Sequence, residues 1–168
     1  MSWLTRRRLL LGFGTLGVAA SGGVAWIRSS GYTVPPAVAY QLRTLAPWQY
    51  RVANALARRV VFPFEFHPGL FMDRYIADLD PVDIRDLKRF LAYVEHLAPL
   101  AVGSARRFTE SSHYHQDRTL AAIEQSPVAL LRGGFQAFKA LALMACYAEP
   151  ESWKALGYAG PVVKWSEP

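Results

Sequence analysis

Between Asp78 and Gly103 the chain reads DLDPVDIRDLKRFLAYVEHLAPLAVG, and its apolar residues recur with the period of a helix. Ile84, Leu87, Leu91, Val94 and Leu97 fall three or four residues apart, which places them on one face and predicts a buried stripe. The start is written just as clearly. Asp80 can accept a hydrogen bond from the first free N–H groups, Pro81 suits the first helical position, and Asp83 meets the positive end of the helix dipole. Pro99 ends or kinks the helix.

The same period extends in both directions. Leu45, Trp48, Val52, Leu56 and Val60 predict a helix over about 44–61, with Pro47 tolerable only in its first turn. FPFEFHPG (Phe62–Gly69) interrupts the pattern, and Pro63 and Pro68 limit any helix there. SSHYHQDRTLAAIEQS opens on a capping serine and presents Leu120 and Ile123. A last helix starts near Pro127 and carries Leu130, Leu131, Phe135, Phe138, Leu141, Ala142 and Ala145. It is apolar on more than one face, as expected of the central element of a bundle. No period-two strand and no internal repeat stands out. The expected fold is all-α, a small irregular bundle of four to five helices with an aromatic, Gly/Pro-rich C-terminal loop, YAEPESWKALGYAGP (Tyr147–Pro161).

The N-terminus is a different kind of text. Residues 1–28 contain four arginines, no acid and an apolar run from Leu9 to Ile27. Thr5-Arg6-Arg7-Arg8-Leu9-Leu10 has the twin-arginine pattern, read by a translocase that carries folded proteins. Arg6 and Arg7 are the export-signal residues, and the expected location is the bacterial periplasm. Val18-Ala19-Ala20 and Gly23-Val24-Ala25 offer cleavage sites, while nineteen apolar residues also suffice for a retained anchor. RSSGYTVPPAV then reads as a linker, giving a signal or anchor over 1–28, a linker over 29–38 and one helical domain over 39–168.

Charge excludes more than it assigns. The whole chain has 19 Lys+Arg against 13 Asp+Glu, but without the four arginines of the first 28 residues the balance is 15 against 13. The basic character therefore belongs largely to the targeting signal, and no nucleic-acid partner is expected. One asymmetry remains: Arg43, Arg51, Arg58 and Arg59 precede the first acid, Glu65. The single cysteine, Cys146, lies in LALMACY and reads as a small core residue, which leaves no cysteine-built metal site in this chain.

Catalytic patterns are scarce. His113-Tyr114-His115 is the one close histidine pair, without the carboxylate or His-x-x-x-His spacing of a metal helix; a stand-alone metal protein or enzyme using His113 and His115 is the alternative it leaves open. Asp78, Asp80, Asp83 and Asp86 flank a helix start, where capping accounts for them. Gly133 and Gly134 lie inside a helix pattern, where each costs about 1 kcal/mol relative to Ala. Close approach of another helix or of a partner is the compensation expected.

The C-terminal half carries a resemblance. Arg107-Phe108, Arg118, Leu120, Ser126, Leu131-Arg132, Phe135, Lys139-Ala140-Leu141, Tyr147, Pro150, Ser152-Trp153, Leu156-Gly157-Tyr158 and Gly160-Pro161 follow one another in an order that resembles the gluconate 2-dehydrogenase subunit 3 type family. The specific part covers 107–161; the likeness over 40–106 is one of helical layout. The resemblance implies a non-catalytic small subunit that pairs with a large FAD-dependent dehydrogenase of the glucose–methanol–choline class, in some cases with a cytochrome c subunit. It implies no catalytic, metal or cofactor-binding residue here, with FAD held by the large chain. Arg132, Tyr147, Trp153, Gly157, Tyr158, Gly160 and Pro161 are the candidate interface residues, aromatic side chains with an arginine being frequent interface anchors. A cap closing the end of the bundle is the other reading of the same aromatic segment, and a membrane tether for a partner is the other reading of the N-terminus.

Overall fold

The structure is a computed structural model and describes residues 31–61, 68–155 and 157–159. The export signal with Arg6 and Arg7, the segment 62–67, and Gly160 and Pro161 lie outside the described residues. The elements are α1 (Pro36–Ala39), α2 (Pro47–Val60), α3 (Pro68–Ile76), α4 (Pro81–His96), α5 (Ala98–Ala101), a 3-10 turn (Phe108–Glu110), α6 (His113–Glu124), α7 (Ala129–Ala148) and α8 (Pro150–Ala155). The fold is an all-α bundle, with no strand among the described residues.

Prolines begin several of these helices, because the missing N–H is one that a first turn leaves unpaired anyway. Pro47 and Pro81 act as the sequence indicates, and Asp80 accepts from Val82 N at 2.8 Å. Ser112 caps α6, accepting weakly from His115 N at 3.4 Å. Two expectations need correction. Pro68 opens α3 instead of limiting a helix, and α1 begins inside the stretch read as linker.

The central helix is α2, which packs against α3, α4, α6 and α7. Tyr50, Val52, Ala53, Leu56 and Ala57 are buried along it, as are Gln49 and Asn54. Around it gather Met72 and Ile76 from α3, Leu91 and Val94 from α4, Phe108, Ile123 from α6, and Phe138, Ala142 and Ala145 from α7. Helix α7 is central as well, touching α2, α3, α4, α6 and α8, but it buries one face only. In α4 the buried stripe is Phe90, Leu91 and Val94, while Leu97, expected in it, is 56% exposed beyond the helix end.

Polar side chains fasten the frame at three places. Asp73 is fully buried, and its carboxylate accepts from Arg43 N at 2.6 Å, Thr44 N at 2.9 Å and Leu45 N at 2.6 Å. It thereby fixes the entry to α2 from a helix some thirty residues later in the chain. Glu95, also fully buried, accepts from Thr109 N at 3.1 Å and Thr109 Oγ1 at 2.6 Å, tying α4 to the 3-10 turn. Arg59 donates through Nε and Nη2 to the two oxygens of Asp117 at 2.8 and 2.6 Å, a two-pronged bridge between α2 and α6. Arg59 thus spends its charge inside the chain.

Candidate partner-binding surface

On α7, the residues Leu130, Gly133, Ala137, Ala140, Met144 and Tyr147 are spaced three, four, three, four and three apart, and all are exposed. That spacing sets them on one face, opposite the buried Phe135, Phe138, Ala142 and Ala145. Gln136 and Ala148 flank it, so the face has no charge over twenty residues, about 30 Å at 1.5 Å per residue. Leu130 is 58%, Met144 40% and Tyr147 56% exposed. A solvated helix face ordinarily carries charged side chains. An uncharged face of this length, with large apolar residues at both ends, has the make-up of the core of a protein–protein contact.

The two glycines of α7 separate along this division. A Cβ on Gly134 would lie 2.8 Å from the Phe90 ring, so the crossing of α4 and α7 requires glycine there. A Cβ on Gly133 would meet nothing within 4 Å. The helix loses about 1 kcal/mol to Gly133, and no contact among the described residues offsets that loss.

Within the aromatic C-terminal segment, expected as a loop, Pro150–Ala155 is helical, and of the rest beyond it residues 157–159 are described and lie outside any helix. Ser152 Oγ donates to Cys146 O at 2.6 Å and to Glu149 O at 2.8 Å, and Trp153 Nε1 donates to Tyr147 O at 2.7 Å. These bonds satisfy carbonyls that the end of α7 leaves without helical partners. After α8, Gly157 takes φ +68°, and Tyr158 N donates back to Trp153 O at 2.8 Å. This is the Schellman closure, in which the two residues joined by the longer bond also touch. Here they are Trp153 and Tyr158, edge-on at 5.7 Å between ring centroids. Trp153 is half-buried, while Tyr147 and Tyr158 are more than half exposed. The segment therefore caps α7 and leaves Tyr147 and Tyr158 exposed at that end.

Four candidate residues, Tyr147, Trp153, Gly157 and Tyr158, come together at this end. Arg132 does not join them: its Nη1 donates to Ser126 O in the turn before α7. His115 Nδ1 lies 3.0 Å from Ser112 Oγ, and His113 is exposed. Among the described residues no three His, Cys, Asp or Glu side chains converge as metal ligands, and no helix is long and apolar enough to cross a membrane.

Cys146 is buried under α8, and burial pushes its thiol pKa up, opposed by the hydrogen bond with Ser152. The folded chain is expected to resist an aromatic disulfide reagent at mildly alkaline pH and to yield one thiol per chain at once in urea. Immediate labelling without denaturant would show a reactive site instead.

No family model, no curated protein and no solved structure matches this chain.

Proposed function

We propose that this chain is the non-catalytic small subunit of a periplasmic FAD-dependent dehydrogenase of the glucose–methanol–choline class. Its role is to assist the folding, twin-arginine export and stability of the large flavoprotein subunit. The observation that carries the reading is the outer face of α7, uncharged along its whole length and holding a glycine that the described fold does not use. The twin-arginine text at Arg6 and Arg7 and the ordered resemblance over 107–161 agree with it. FAD and the reacting groups belong to the large chain, with a cytochrome c subunit as a third component in some complexes of this kind.

Co-expression with a flavoprotein dehydrogenase, expected to be encoded beside this chain, tests the proposal. The large subunit is expected in the periplasm, active and flavin-loaded, only when this chain accompanies it. Arg6→Lys with Arg7→Lys should retain both in the cytoplasm. An active large subunit in the periplasm of cells lacking this chain would rule the reading out.

Gly133→Ala supplies a finer measure. The free chain is expected to gain up to about 1 kcal/mol in chemical unfolding, because the helix interior prefers alanine and the space is open. The complex should weaken, because the added methyl separates two surfaces that meet there. A stabilised chain with an unaltered complex would place the partner elsewhere.

A further inference from the structure

A second surface lies away from the outer face of α7. Where the first turn of α2 meets the first three turns of α4, Trp48, Pro81, Ile84 and Ala92 floor a groove of about 540 Å³. Arg85, Lys88 and Arg89 also line it, and no carboxylate does. Asp86, outside the lining, lies 3.3 Å from Arg89 and 3.8 Å from Arg85, so one acid is shared between two guanidinium groups. Among the described residues Lys88 has no ion-pair partner.

The shape and charge select the occupant. The groove is open to solvent along its length, so a small molecule would keep much of its surface wet, unlike the enclosed sites such ligands use. The apolar floor is only a few side chains wide, Trp48, Pro81, Ile84 and Ala92, with cations beside it, a patch of the size of one helix face and not of a membrane surface. A protein segment fits, since it brings its own second wall. We propose that the groove docks an amphipathic helical segment of a partner protein, with an apolar face for Trp48 and Ile84 and flanking carboxylates for Lys88, Arg85 and Arg89. The cationic rim sets the sign of the partner's charge and speeds the encounter, while the apolar floor supplies contact area.

The test uses the chain without its first 28 residues beside the full chain, and a dye-labelled helical peptide with leucine and tryptophan on one face and glutamates along both flanks. A twin peptide has glutamine for every glutamate. Anisotropy is expected to show the acidic peptide binding at least about tenfold more tightly than its twin, with affinity falling as salt is raised. Lys88→Glu with Arg89→Glu should remove binding while the melting temperature stays within a few degrees, both side chains being on the surface. If that pair disturbs folding, Lys88→Gln alone should still weaken binding severalfold. Equal binding of the two peptides, or binding by neither, overturns the proposal. Capture of the chain by phosphatidylglycerol vesicles through Lys88 and Arg89, with no peptide bound, overturns it in favour of a lipid surface. The peptide contains no dehydrogenase sequence, so its failure leaves the small-subunit reading untouched.

Discussion

Ala140→Glu is expected to abolish capture of the large subunit while the free chain stays folded. Ala140 is exposed near the middle of α7, between Ala137 and Met144 on the uncharged face. In the free chain the new carboxylate remains in water on a helix that tolerates glutamate, so stability should stay within about 0.5 kcal/mol. In the proposed complex the same carboxylate would be sealed against an apolar partner surface. Removing a charge from water without a counter-ion costs several kcal/mol, and 3 kcal/mol is already roughly a hundredfold in affinity. Co-purification of the two subunits and a urea titration of the isolated chain measure the two halves of this expectation. Wild-type complex yield from a normally folded Ala140→Glu chain would exclude the outer face of α7 as the contact.

The largest loss of stability should come from Asp73→Ala, at about 4 kcal/mol. A hydrogen bond to an ionised acceptor contributes roughly 1.5–3 kcal/mol, and stranding buried donors is as damaging as losing the bond. Asp73 accepts from three consecutive backbone N–H groups, and Leu45, the last of them, is itself buried. Domains of this size are stable by roughly 5–15 kcal/mol in total, so the variant loses a large part of its margin. Asp73→Asn should fall between wild type and alanine. Its single carbonyl oxygen can keep the bonds of Thr44 and Leu45, but its amide turns N–H groups toward Arg43 N. Urea midpoints at constant slope provide the comparison. A loss below about 1 kcal/mol for alanine would mean that water or a neighbour takes over the three donors.

Helix periods and caps were legible in the text: Asp80-Pro81 and Ser112 mark the starts they mark in the fold, and the α2 stripe lies where its spacing puts it. Helix α3 was hidden because Pro63 and Pro68 look like breakers, whereas Pro68 opens the helix, in a first turn whose N–H groups have no helical partner to lose. The exposed face of α7 was hidden for a different reason. Composition counts apolar residues but does not say which are covered. In α7 Ala137, Ala140 and Met144 face outward, while in α2 the buried Gln49 and Asn54 resemble surface residues. Asn54 is buried because Gly69 packs there, its N–H donating to Asn54 Oδ1 at 3.0 Å. The fasteners Asp73 and Glu95 carried a signal that periodicity alone passes over, an acid set within the apolar stripe of its own helix.

For the candidate surface, the tyrosine–tryptophan–glycine text pointed to the right end of the molecule. Arg132 was separated from it by fifteen residues of helix, about four turns, so sequence proximity in a motif did not become proximity in space. The outer face itself was readable in retrospect from the alternation of three and four between Leu130 and Tyr147. What hid it was the second, overlapping stripe of Phe135, Phe138 and Ala142, which gives the same helix another reason to be apolar.

The paired glycines of α7 have an evolutionary corollary. Gly134 answers to Phe90 within one chain, so among descendants these two positions should change together or not at all, a larger residue at 134 requiring a smaller one at 90. Gly133 answers to nothing inside the described fold. If the proposed partner meets it, a lineage that loses the partner gene is free to replace it, and alanine at 133 beside glycine at 134 would be the mark left by that loss.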